Sequence, residues 1–147
     1  MKQLFIDADN FPQLAVSWLA DEAAKLKLPL YLVANHFSRP MSYGRQITTS
    51  SQKESADNYI ITHITEEDLV FTLDLLLAQK LEEKKVLAVN HLGEQLRSEL
   101  LKKKLLERNL MLNLGENAKN LRPKQKSYGP KELNNFKERC IPLLKTF

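Results

Sequence analysis

Short apolar runs alternate with longer helical segments along this chain, and that alternation leaves few folds open. KQLFI (2–6), LYLVAN (30–35), DLVFT (68–72) and VLAVN (86–90) have strand length and carry branched or aromatic side chains. QITTS (46–50) is a weaker run of the same kind. LAVSWLADEAAKLK (14–27), ADNYIITHI (56–64), a segment from Asp74 to Lys84 and EQLRSELLKKKLLER (94–108) have apolar residues at helical spacing. Pro12 suits the first turn of a helix, and Pro29 stops that helix. The pattern predicts an α/β chain, with a mainly parallel central sheet and helices on both faces in three layers. Residues 113–129 carry Gly, Asn, Pro and Lys with little periodicity, and so read as a loop. A last helix over 130–145 follows, opened by Pro130 and disturbed by Pro142. The 147 residues fit one domain, 1–147.

Several function classes drop out. Cys140 is the only cysteine, so no internal disulfide is available, and no cysteine–histidine spacing suits zinc. The longest apolar run, LDLLLA, contains an aspartate and is too short to span a bilayer. The N-terminus opens on a strand and not on a signal-like segment. The expectation is a soluble cytoplasmic protein with no membrane partner. Charge is divided unevenly. Residues 1–101 carry 10 Lys+Arg against 14 Asp+Glu, and residues 102–147 carry 12 against 4. A basic half beside an acidic one suggests an anionic partner such as nucleic acid; scattered solvated lysines are the plainer explanation. Self-association stays open.

The run LFIDADNFP (4–12) ends a strand on two aspartates. Ligands of open α/β sheets bind beyond the carboxyl ends of strands. Asp7 and Asp9 stand there on the first strand, Asp74 lies just past DLVFT, and Asp57 opens the preceding helix. Asp68 begins its strand and belongs at the opposite end. A lone aspartate at a strand end is ordinarily a helix cap or turn residue. Four of them converging would repel one another unless a cation intervened. Oxygen ligands without cysteine or clustered histidine select Mg²⁺ or Mn²⁺. The chemistry expected is metal-dependent phosphoryl transfer, such as phosphodiester hydrolysis. Asn10 and Thr72 are placed to contact metal or phosphate, Asn35 closes LVAN at a strand end, and Lys53 precedes the helix of Asp57. His36 and His91 each follow a strand end and could serve as acid or base; His63, Cys140 and Trp18 read as structural.

The motifs IDADNFP, LVAN, SADNYI, DLVFTLDLLLA, VNHLGE and GPKELNNFKERCIPLL together resemble the YaiI/YqxD family of uncharacterised bacterial proteins. They fall in the family's order over nearly the whole chain. The resemblance implies a PIN-like Rossmannoid fold and an acidic centre of Asp7, Asp9, Asp57 and Asp74. It also implies Mg²⁺ or Mn²⁺ and a nucleic-acid substrate, RNA before DNA. Asn10 and Phe11 stand where the family commonly has a small residue and cysteine, and Leu92 stands where its N-P-R-G-E motif has arginine. Asn10 also brings the first motif close to the D-x-x-N start of NYN-type nucleases. Two other classes compete. One is a non-catalytic nucleic-acid- or partner-binding protein with a degenerate site. The other is a haloacid-dehalogenase-type phosphatase, which also starts on D-x-D. That class wants Thr or Val where Phe11 stands.

Overall fold

The computed structural model describes residues 2–37, 40–49, 54–115 and 127–146. The elements run β1 (Leu4–Asp7), α1 (Gln13–Leu26), β2 (Leu30–Ala34), β3 (Arg45–Thr48), α2 (Glu54–His63), β4 (Leu69–Phe71), α3 (Leu75–Glu83), β5 (Leu87–Val89), α4 (Ser98–Leu114) and α5 (Pro130–Lys145). All five strands form one sheet in the order β3-β2-β1-β4-β5, and every neighbouring pair is parallel. The chain starts at β1, moves outward through β2 and β3, and returns to β4 on the other side of β1. Strand order therefore reverses between β1 and β4. Connections leave the carboxyl ends of these two strands in opposite directions, and a crevice opens between them.

Side chains alternate across the sheet and sort into two cores. Leu4 and Ile6 of β1, with Leu69 and Phe71 of β4, pack under α1 and α5. Phe5 and Val70 pack under α2, α3 and α4. The same alternation turns Asp7 and Thr72 toward the α2–α3 side. α1 buries Ala15, Val16, Leu19, Ala20 and Ala23 as one stripe. Lys27, in the left-handed conformation at φ 56°, ends α1 by giving its N–H to the last-turn carbonyls of Ala23 and Ala24. α5 buries Phe136, Cys140 and Leu144 at four-residue spacing. Phe136 meets Phe11, Phe71 and Trp18 edge to face at centroid distances of 5.9, 5.9 and 5.7 Å. Trp18 is thus a core anchor, and burial pushes the Cys140 thiol up to about 12, leaving it neutral.

Some boundaries differ from the sequence expectation. α5 is not interrupted at Pro142 but runs on to Lys145. Pro142 sits near the helix end, where its missing N–H costs one bond, and Leu144 beyond it is buried in the core. α4 begins four residues later than Glu94, because Gln95 pairs with Val89 in an antiparallel bridge. It also extends to Leu114, so residues 113–114 are helical and not loop. Residues 116–126 of the expected loop lie outside the described residues. Asp68 is buried at the far end of β4, where it accepts the N–H groups of Gln3 (2.9 Å) and Thr65 (2.8 Å). No helix among the described residues is long and apolar enough to cross a membrane.

Phe136 ties α5 to both β4 and the turn after β1. Replacing it with alanine should cost about 3–5 kcal/mol. In urea unfolding the midpoint should fall with an unchanged slope, and a loss under 1 kcal/mol would contradict this packing account.

Candidate functional site

Asp7, Asp57 and Asp74 each bring a carboxylate oxygen to within 4.8 Å of the other two. Three different elements deliver them. Asp7 is the last residue of β1, Asp57 sits in the first turn of α2, and Asp74 caps the start of α3. The Asp74 carboxylate accepts the N–H of Leu76 (2.9 Å) and of Leu77 (3.2 Å), so it is a helix cap as well as a member of the group. Thr72 is fully buried and joins the strand ends: its hydroxyl donates to Asp7 Oδ2 at 2.9 Å and accepts the N–H of Asp74 at 3.0 Å. Thr72 therefore positions two of the aspartates and is itself out of reach of a ligand.

The three carboxylates line a cleft of about 530 Å³, together with Asp9, Asn10, Lys80 and Arg108 and the apolar wall of Leu73, Leu75 and Leu76. Asp9 stands outside the group of three. Its Oδ1 accepts the N–H of Asn35 at 2.9 Å, tying the turn after β1 to the end of β2. Asn35 points its side chain elsewhere, accepting the Thr49 hydroxyl at 2.9 Å, and does not line the cleft. Lys53 lies outside the described residues. None of the histidines lines the cleft. His36 is exposed, and His63 is an exposed ring stacked on Tyr59 at 4.0 Å. His91 is half-buried beside Tyr128, and burial and the nearby Lys104 hold its pKa down.

Lys80 and Arg108 were not singled out by sequence. Lys80 carries a readable signal, since it follows Leu76 by four residues on α3 and shares its face. Arg108 carries none, because its place depends on how α4 packs against α3. Among the described residues neither forms an ion pair, whereas Lys25, Lys102 and Lys104 each do. The NHLGE stretch builds a loop away from the cleft. The Asn90 side chain accepts the N–H groups of Leu92 (3.0 Å) and Glu94 (2.9 Å). Gly93 has φ 79°, and a Cβ there would lie 2.7 Å from Arg139 Cβ, so only glycine fits. Leu92 thus occupies a structural turn, and its lack of a charge removes no cation from the cleft.

Proximity sets the proton affinities. Burial, then the neighbouring Asp74 and Asp9, push the Asp7 carboxyl up to about 6, against the lowering effect of the Thr72 hydroxyl. Burial, the charges of Asp74 and Asp7, and a hydrogen bond with Asp74 push Asp57 up to about 7, while Lys80 pulls it down. Asp7 and Asp57 therefore hold their protons more tightly than a free aspartate does. Three carboxylates with no cysteine or histidine form a hard donor set, which fits Mg²⁺ or Mn²⁺ and not zinc.

A family model described as "Uncharacterized BCR, YaiI/YqxD family" matches residues 5–146. The chain belongs to the YaiI/YqxD family. A UPF0178 protein of Shewanella sp. (strain ANA-3) is 36% identical over 114 residues, covering 76% of each chain. A UPF0178 protein of Sulfurovum sp. (strain NBC37-1) is 32% identical over 138 residues, covering 90% of each. Another from Sulfurimonas denitrificans is 31% identical over 137 residues, covering 90% of this chain and 85% of the relative. No solved structure matches the chain.

The raised proton affinities have a stability consequence. The folded protein holds protons on Asp7 and Asp57 that the unfolded chain releases near 3.8. Their contribution is complete below that pH and is lost as pH rises through about 6 and 7. Asp57→Asn should therefore raise Tm at pH 8 by about 3 °C, allowing for screening at a partly open cleft, and change it little at pH 4. Thermal melts across that range check this, and a uniform shift at every pH would refute it.

Proposed function

We propose that this YaiI/YqxD-family protein is a metal-dependent nuclease of PIN-like type that hydrolyses phosphodiester bonds, with RNA the first substrate to test. One observation carries the reading. Three carboxylates converge where strand order reverses, and two cations that form no ion pair among the described residues line the same cleft. A phosphate diester suits both halves of that cleft. Mg²⁺ or Mn²⁺ held by Asp7, Asp57 and Asp74 would supply polarisation of a phosphoryl oxygen and activation of water for in-line attack. Lys80 and Arg108 would hold the non-bridging oxygens and orient the phosphorus. Asn10, exposed at the cleft mouth, offers an amide to the same group. Leu73, Leu75 and Leu76 give the cleft one apolar wall.

Purified protein should cleave single-stranded RNA in Mn²⁺. Loss of an outer-shell residue at a metal site costs about 10–100-fold, so Asp7→Asn should lower the rate by at least about a hundredfold. Equal cleavage by the variant would mean that the activity lies elsewhere. RNA bound but unaltered after long incubation would favour a binding protein with a degenerate site. Lys80→Ala and Arg108→Ala should each weaken RNA binding and reduce the slope of log affinity against log salt by about 0.7. Unchanged slopes would remove both residues from the phosphate path.

A further inference from the structure

A second pocket, of about 250 Å³, lies beside the acidic cleft at the same carboxyl edge of the sheet. It opens on the α1 side, whereas the acidic cleft opens on the α2–α3 side. Its floor is the sheet itself: Leu32 and Gln46 are register partners on β2 and β3, and Ala8 extends the row of Ile6 on β1. Gln13 and Val16 of α1 form one wall. Phe37 and Met41, both half-buried in the β2–β3 connection, form the other. Asp9 lines this pocket and the acidic cleft alike, so the two meet at the residue that follows the β1 metal-site aspartate by two positions.

The lining selects the ligand. Among the described residues no lysine or arginine lines the pocket, and Asp9 contributes a carboxylate, so these residues offer a phosphate no cationic partner there. The volume is below the roughly 300 Å³ at which pockets begin to hold drug-sized ligands, and so suits a fragment. Phe37 and the thioether of Met41 present surfaces that favour a flat aromatic ring. Gln13 lies at the rim with its amide 3.9 Å from the Met41 sulfur and 3.2 Å from the Ser17 hydroxyl, and His36 stands near it. An amide and an imidazole can both donate and accept, which suits the polar edge of a heterocycle.

We propose that this pocket takes the base of a nucleotide whose phosphate lies in the acidic cleft. The proposal rests on the phosphoryl-transfer reading and specifies its substrate. The strand would cross the edge of the sheet at Asp9, and it must be single-stranded there, because a base held in a pocket cannot also pair.

The test is an NMR titration of isotope-labelled protein in Mg²⁺ with adenosine monophosphate, uridine monophosphate and ribose 5-phosphate. Both nucleotides should bind about tenfold more tightly than ribose 5-phosphate, the gain expected from stacking one base, and should move the signals of Phe37 and Met41. Phe37→Ala and Met41→Ala should abolish that advantage and leave Mg²⁺ affinity unchanged. Gln13→Ala, exposed on α1, should reduce it and guards against a folding defect in the other two. Equal binding of nucleotides and ribose 5-phosphate in Mg²⁺-loaded protein would overturn the base pocket and leave the metal reading standing. Adenosine supplies the reverse control. If Mg²⁺ fails to bind at the aspartates yet adenosine still shifts Phe37, the pocket stands without the metal. If adenosine moves nothing either, both readings fall.

Discussion

Repulsion among Asp7, Asp57 and Asp74 is the constraint around which the rest of the molecule is arranged. Bringing three carboxylates within 4.8 Å of one another is unfavourable at neutral pH, and burial makes it more so. The backbone partly offsets this. α2 and α3 both start at the cleft, and the positive ends of their dipoles favour negative charge there. The Thr72 hydroxyl and the free N–H groups of α3 satisfy oxygens of Asp7 and Asp74. What remains is relieved by protons, which the raised affinities of Asp7 and Asp57 record. On the proposed function, a divalent cation would displace those protons and relieve the same repulsion.

Such a site needs a stiff support, and the packing supplies it on both faces. Asp7 is held in register by β2 on one side, and Ile6 just before it by β4 on the other. Two residues past Asp9, Phe11 is locked edge-on against Phe71 and Phe136, so the turn that carries Asp9 and Asn10 is anchored in the core. The residue that departs from the family's usual cysteine is thus a large aromatic that fills space between α5 and the sheet. Its effect on the site runs through packing and not through chemistry.

The fold was legible in the sequence because parallel strands buried on both faces read as unbroken apolar runs, and helices between them keep a separate period. Asp7, Asp57 and Asp74 were legible for the related reason that strand and helix ends fix which edge of the sheet a residue reaches. Asp68 illustrates the same logic in reverse, since its position before β4 sent it to the other end. Asp9, Thr72 and Asn35 show where this logic stops. Sequence position puts each at the right edge, but a hydrogen bond decides whether the side chain faces the cleft or a neighbouring strand. The start of α4 was missed because the side chain of Asn90 and the Val89–Gln95 bridge compete locally with helix formation. Arg108 was out of reach for a different reason: only the angle at which α4 lies across α3 brings it to the cleft, and no local pattern encodes an angle.

The placement of Arg108 also bears on the uneven charge. Residues 102–147 carry the basic excess, yet among the described residues none of their lysines lines the acidic cleft. Among the described residues Lys102 pairs with Glu99 and Lys104 with Glu94, and Arg108 alone of the basic half lines the site. This separates two tasks that would interfere if merged. Lysines packed against the carboxylates would neutralise them and remove the driving force for cation binding. Held on α4 and beyond, they can attract a polyanion over a Debye length of roughly 8–10 Å while the cleft keeps its negative charge. On the proposed function, the acidic cleft would act on the phosphate that reacts and the basic half on the phosphates that do not.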